Sequence, residues 1–386
     1  MPPRRTTATK PPDTVARRGL FVGLMSGTSV DAIDAVLVEL QQGSAQQLGS
    51  HTRPITPAMR EQIFAVSRGE NDTVDALCRL DQELGEAFAS ATLELLSTCG
   101  VKASEITAIG SHGQTVRHRP HPATGPRYTL QIGDANVIAE RTGICTVADF
   151  RRRDVAAGGE GAPLVPPFHA DVFGRTGQRR AIVNIGGIAN VTVLDGHRVI
   201  AGFDCGPGNT LLDAWVHKHR GTSFDAHGAW AGEHTADTAL LSALMQDAYF
   251  HRSGPRSTGP EHFNLAWLEH QLPDGMNPGD VQATLAELTV HTIVESLGGY
   301  EMPEALFVCG GGARNTDLMR RLHTRIQDAQ VRLATTDEQG IDAEWVEASA
   351  FAWLAKRTLD HLAGNEPVVT GASGARVLGG VYAGGV

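Results

Sequence analysis

Gly23-Leu24-Met25-Ser26-Gly27-Thr28-Ser29-Val30-Asp31-Ala32-Ile33-Asp34 is a small-residue turn between two apolar runs, Gly19–Leu24 and Ile33–Leu40, that read as strands. Glycine removes the Cβ obstruction, Ser26, Thr28 and Ser29 supply hydroxyl donors, and Asp31 and Asp34 suit a hydrated divalent cation. Taken alone, the stretch fits a tight hairpin with a polar tip as well as a loop closed on phosphate oxygens. A second stretch of the same design changes the balance. Ala181–Leu194 runs from an apolar strand through Gly186-Gly187 into another apolar strand. Two strand-turn-strand units in the two halves of one chain predict a duplicated α/β domain with facing phosphate loops. A third turn, Gly310-Gly311-Gly312, follows the apolar run Ala305–Val308 and precedes the helical pattern Thr316–Ile326. There the glycines permit close approach and a helix N-terminus favours negative charge.

Length and composition agree with two domains around a cleft. With 386 residues, 41% of them hydrophobic, and 44 glycines, the chain is neither disordered nor fibrous. A net charge of −10 argues against nucleic acid, which needs a concentrated basic face. The expected ligands are therefore small. Five scattered cysteines without C-x-x-C spacing indicate neither a zinc site nor a disulfide framework, and a reducing cytoplasm is the simplest setting. Residues 1–18 carry Arg4, Arg5, Lys10, Arg17 and Arg18 against Asp13 alone and read as a disordered, solvated tail. They hold no apolar run long enough for a secretory signal or a membrane span.

Between the glycine turns, Val74 to Leu95 repeats apolar residues at helical spacing, with Asp72 or Thr73 before it and Gly100 after it. Ile106–Gly110, Thr129–Ile132 and Ile144–Phe150 read as strands. Polar groups at such strand ends line the ligand crevice of α/β sheets, which makes His112, Gln114 and Asp134 candidates. Arg151, Arg152 and Arg153 read as a loop from which one guanidinium grips a substrate carboxylate. Asp204 lies where a strand meets the turn Gly206-Pro207-Gly208-Asn209. A carboxylate there fits either an Asx turn or a general base aimed into the cleft, and two upstream phosphate loops favour the base.

Met25–Ser29, Ser111–Thr115, Leu130–Asp134, Asp149–Asp154, Gly161–Leu164, Asn184–Gly187 and Gly202–Asn209, in this order, resemble the anhydro-N-acetylmuramic acid kinases of bacteria. The resemblance runs from about Gly19 to near the C-terminus. It implies the fold of acetate and sugar kinases, actin and the heat-shock chaperone ATPases, with two ribonuclease-H-like domains, 19–180 and 181–386, around a nucleotide cleft. The last helix is expected to pack back on the N-terminal domain.

The implied reaction takes ATP, Mg2+ and water and converts 1,6-anhydro-N-acetylmuramic acid to N-acetylmuramic acid 6-phosphate and ADP during peptidoglycan recycling. Asp204 is the implied base. ATP falls to Gly27, Thr28, Ser29, Val30, Asp31, Ala32, Ile33 and Asp34, with Gly186, Gly187, Gly310, Gly311 and Gly312. The sugar falls to His112, Gln114, Gly133, Asp134, Arg153 and Glu347, the metal to Asp31, and the family suggests a homodimer. Two positions depart from the family pattern: Ala32 stands where glycine is usual and Glu160 where glutamine is usual. Kinases of another sugar or carboxylic acid, and non-enzymatic actin-like nucleotide switches, would share the nucleotide machinery.

Overall fold

The computed structural model describes residues 18–385 except 71, 123, 253–255 and 260. All but the last residue of the expected tail lies outside them. Thirteen strands are described: β1 Gly19–Met25, β2 Ala32–Gln41, β3 Ser44–Pro54, β4 Ile106–Ser111, β5 Gln114–Arg119, β6 Tyr128–Ile132, β7 Thr146–Ala148, β8 Arg179–Ile185, β9 Ile188–Asp195, β10 Arg198–Pro207, β11 Ala305–Cys309, β12 Arg332–Thr335 and β13 Gly380–Tyr382.

The duplication is visible in the order of the strands. One sheet runs β13-β7-β4-β1-β2-β3 and the other β10-β9-β8-β11-β12. In each, three consecutive strands pair antiparallel, β1-β2-β3 and β8-β9-β10, and two more follow in parallel beside the first strand, β4-β7 and β11-β12. These are the two ribonuclease-H-like units of an actin-like ATPase fold. Both glycine turns of the predicted hairpins fall where expected, between β1 and β2 and between β8 and β9.

Central strands buried on both faces must be apolar throughout, and β1 is buried along most of its length. Val22 and Leu24 pack with Leu84, Phe88 and Leu95 of the helix Val74–Cys99. That helix starts at the Thr73 side-chain cap and stops at Gly100, which takes the left-handed conformation. Each fully buried leucine or phenylalanine here contributes about 2–3 kcal/mol. The opposite face of the sheet receives the helix Val346–Leu359. A Cβ on Gly23 would lie 1.9 Å from the Ala348 carbonyl oxygen, and one on Gly110 1.9 Å from that of Phe351. Gly23 therefore serves helix packing rather than phosphate approach. Through this helix, and through β13 pairing with β7, the C-terminal segment returns to the first sheet.

Two local expectations change. The strand expected over 144–150 is only Thr146–Ala148, because Asp149 adopts a left-handed backbone (φ 60°) and Phe150–Ala156 is a helix that contains all three arginines. The Thr129–Ile132 strand lies in β6, which joins β5 in a separate two-stranded sheet. None of the described helices is long and apolar enough to cross a membrane.

Candidate active site

A cavity of about 750 Å3 opens between the two sheets and takes side chains from both halves, including His118, Arg151, Glu160, Asn184, Asn190, Asp204, Arg256 and Glu347. Asp204 stands near the end of β10, beside a register shift between Asp204 and Gly206. Such bulges re-aim a side chain. Three residues hold it: Thr258 N–H donates to Oδ2 at 3.0 Å, Ser257 Oγ donates to the same oxygen at 3.3 Å, and Tyr249 Oη donates to the Asp204 carbonyl at 2.8 Å. Burial nevertheless pushes the carboxyl up to about 6, with the Thr258 and Ser257 bonds pulling the other way. The result is a half-buried carboxylate, ionised at neutral pH, with the proton affinity of a general base.

Across the cavity, Glu347 occupies the first turn of the helix Val346–Leu359 and accepts from Asn184 Nδ2 at 3.3 Å. The protein crowded around it and the charge of Asp34 raise its proton affinity, while Arg151 lowers it. Its side chain is exposed to the open cleft, and water there screens the shift. Asp34 is raised by burial and by Glu344. Asp34 and Glu347 are thus neighbouring carboxylates, one from each half of the chain.

Of the three arginines, Arg151 reaches the cavity; Arg153 is exposed and does not line it. On a helix, 151, 154 and 155 share a face, and Asp154 and Val155 are both buried. Asp154 holds the adjoining loop by accepting from Gly161 N–H at 2.8 Å, and it ties down Asn365 and Thr370. Arg151 Nε and Nη2 donate to His112 Nε2 at 3.0 and 2.9 Å, and Nη1 donates to the Gly161 carbonyl. His112 Nε2 is therefore the acceptor nitrogen, and burial together with the Arg151 charge keeps the ring neutral. Burial also lowers Arg151 itself to about 10.

Most of the residues expected to touch sugar do not line this cavity. His112 sits one layer behind Arg151 and packs at a tilt against Phe351, with ring centroids 4.6 Å apart. Gln114 braces the first glycine loop, accepting from Ser26 Oγ at 2.7 Å and donating to the Gly27 carbonyl at 3.4 Å. Gly133 packs against Phe88 and donates to Asp81, and Asp134 caps the helix Ala135–Thr142. Only Glu347 of that set lines the cavity. Asp31, the expected metal ligand, is exposed and pairs with Arg60 at 3.1 Å on a separate, shallower hollow. Val30 and Ile33 are buried core residues, whereas Gly27, Thr28 and Ser29 remain open at the loop tip.

The second and third glycine turns meet. A Cβ on Gly310 or Gly312 would collide with Asn184 or Ile185, and Asn209 N–H donates to the Gly186 carbonyl at 2.8 Å. The helix Thr316–Ile326 does not begin at these glycines. A 3-10 turn, Gly311–Arg314, intervenes, and Asn315 caps the helix by accepting from Asp317 and Leu318 N–H. Two of its N-terminal donors are thus already used. The two departures from the family pattern are both accommodated locally. Ala32 lies in β2 without a positive φ, and Glu160 is paired with His121 at 2.8 Å on the cavity rim.

Comparison with known proteins agrees with the sequence motifs. The family model described as anhydro-N-acetylmuramic acid kinase matches residues 19–384. The protein of that name from Pseudomonas putida is 48% identical over 366 residues, covering 94% of this chain and 99% of its own. The one from Photobacterium profundum is 46% identical over 371 residues, covering 94% and 98%. Among solved structures, component A of the Acidaminococcus fermentans (R)-2-hydroxyglutaryl-CoA dehydratase gives a TM-score of 0.47 at 9% identity over 88% of this chain and 99% of that one. The chain belongs to the anhydro-N-acetylmuramic acid kinase family.

Proposed function

We infer that this chain is an ATP-dependent kinase that opens 1,6-anhydro-N-acetylmuramic acid with water and phosphorylates its 6-oxygen, giving N-acetylmuramic acid 6-phosphate and ADP. The observation that carries this reading is Asp204, a carboxylate raised to about 6 and open to a cavity walled by both halves of the chain. Asp204 takes a proton from water, whose oxygen attacks the anomeric carbon on the face opposite the bridging oxygen. The bond from that carbon to the bridge breaks, and the freed 6-oxygen attacks the γ-phosphorus of ATP in line as ADP leaves. The base half resembles an inverting glycosidase, with phosphoryl transfer capturing the leaving oxygen in place of a general acid.

Arg151, oriented by His112 and the Gly161 carbonyl, would meet the lactyl carboxylate of the sugar. The open tip Gly27–Ser29 and the Gly186-Gly187 turn are the proposed phosphate contacts. Asp34 and Glu347 are adjacent carboxylates, one raised by the other's charge, and a divalent cation relieves such repulsion. They, rather than Asp31, would hold Mg2+, which supplies charge neutralisation on the phosphates of ATP. We place the division between the halves at residues 180 and 181, with 346–386 packing back on the first half. The reading is tested by a coupled ADP-release assay with the anhydro sugar in 18O-labelled water, followed by mass analysis of the product.

A further inference from the structure

Asn190 and Thr192 of β9 stand directly across from Asp204 and Gly202 of β10. Opposed residues share a face of an antiparallel ladder, so Asn190, Thr192 and Asp204 project together. All three line the cavity, as does His169, whose Nδ1 lies 2.9 Å from Thr192 Oγ1. His169 is 2% exposed, and its Nε2 has no hydrogen-bond partner among the described residues. A polar nitrogen left unpaired in such a place costs about 1–3 kcal/mol, and the mechanism above makes no use of it. Burial pushes this imidazole down to about 3, so it stays neutral throughout the working range. It thus offers a single uncharged hydrogen-bonding atom, suited to an amide or hydroxyl rather than to a carboxylate. The cavity wall also includes Leu164, Val165, Pro166 and Val369, a surface suited to a methyl group.

Position selects between amide and hydroxyl. Thr192 is two residues along the strand from the partner of Asp204, about 7 Å. Water attacks the first ring carbon of the sugar, and the acetamido group is carried by the second. We propose that His169 is a specificity-determining residue whose Nε2 hydrogen-bonds the acetamido carbonyl of the sugar. Thr192 Oγ1 donates to Nδ1 and so keeps the ring proton on Nε2, and the acetamido methyl rests on the Leu164–Pro166 wall. This inference rests on the kinase reading above.

The test compares kcat/KM for 1,6-anhydro-N-acetylmuramic acid and for its de-N-acetylated 2-amino analogue, in the unaltered enzyme, His169→Ala and Thr192→Val. A site built to bond a substrate group rejects the analogue lacking it, here by about 100-fold or more. In His169→Ala the acetylated sugar should lose most of that advantage through a raised KM, with the analogue unchanged. Thr192→Val should show the same pattern at about tenfold. If His169→Ala fails to give a cooperative melt, Thr192→Val decides. An unchanged preference, or an equal loss on both sugars, overturns the inference. If the unaltered enzyme consumes neither sugar, the kinase reading itself fails and the inference falls with it.

Discussion

The two glycine hairpins share a design and differ in what holds them. The β8–β9 turn is bolted in place: Gly208 N–H donates to the Gly187 carbonyl at 2.9 Å, Asn209 N–H to Gly186 at 2.8 Å, and Asn209 Nδ2 to the Ile185 carbonyl at 3.1 Å. The β1–β2 turn is held mainly by side chains, with Ser26 Oγ donating to Gln114 at 2.7 Å and to the Ala32 carbonyl at 3.1 Å and Arg60 Nη2 donating to the Ser29 carbonyl at 3.1 Å, and its tip Thr28-Ser29 is exposed. Asp204 belongs to the sheet with the bolted turn. On the proposed reading this is a division of labour, in which the second half would hold the base in a preorganised frame and the first half would give ATP an adjustable contact.

The largest effect that would break this contrast lies at Asp204. Asp204→Asn keeps the shape and removes the base, and kcat should fall about a thousandfold or more with little change in KM for ATP. Since the carboxyl is raised to about 6, wild-type kcat/KM should decline as pH drops through 6. The sign for stability is opposite. A folded carboxyl that binds its proton more tightly than the unfolded one destabilises the fold above about pH 6, and that penalty disappears on acidification toward pH 4. Asp204→Asn should therefore melt higher than wild type at pH 8, by about 2 kcal/mol or less, and equally at pH 4. A melting temperature that falls at pH 8 would argue that the carboxylate is structural.

A smaller effect tests the bolt. A Cβ on Gly208 would sit 2.3 Å from the Gly186 carbonyl oxygen, so Gly208→Ala must push the turn aside. Calorimetry should report a loss of about 1–3 kcal/mol, and kcat should drop along with it. The smallest effect is expected at the adjustable loop. Ser26→Ala removes the hydroxyl that Gln114 accepts from, about 1 kcal/mol of interaction. KM for ATP should rise a few-fold with kcat nearly unchanged. A collapse of kcat in Ser26→Ala would erase the distinction between the two hairpins.

The hairpins were legible because strand, glycine turn and strand are written in adjacent residues, and the position of Asp204 near a strand end was legible from the Gly206-Pro207-Gly208 run that follows it. The helix Phe150–Ala156 was not. The apolar stretch Ile144–Phe150 is too short for its period to separate strand from helix, and the break comes from the left-handed backbone of Asp149. Without that helix, nothing local shows which arginine faces inward; once it is drawn, the buried Asp154 and Val155 select Arg151. His112, Gln114 and Asp134 are candidates by their place at strand ends. Asp134 caps the helix that follows it, whereas the hydrogen bonds of His112 to Arg151 and of Gln114 to Ser26 join residues too distant in sequence to be read from it. The partners of Asp204 include Tyr249, Ser257 and Thr258, 45 residues or more along the chain. Contacts across such separations leave no periodic trace in sequence.

The central claim is that one carboxylate drives water onto the anomeric carbon while the released oxygen takes phosphate. The most direct measurement is mass analysis of rapidly quenched product formed from ATP, the anhydro sugar and Mg2+ in 18O-labelled water. The account predicts one labelled oxygen on the anomeric carbon of an opened, 6-phosphorylated sugar, with one ADP released per sugar. Label appearing in inorganic phosphate, with the anhydro ring intact, would contradict it.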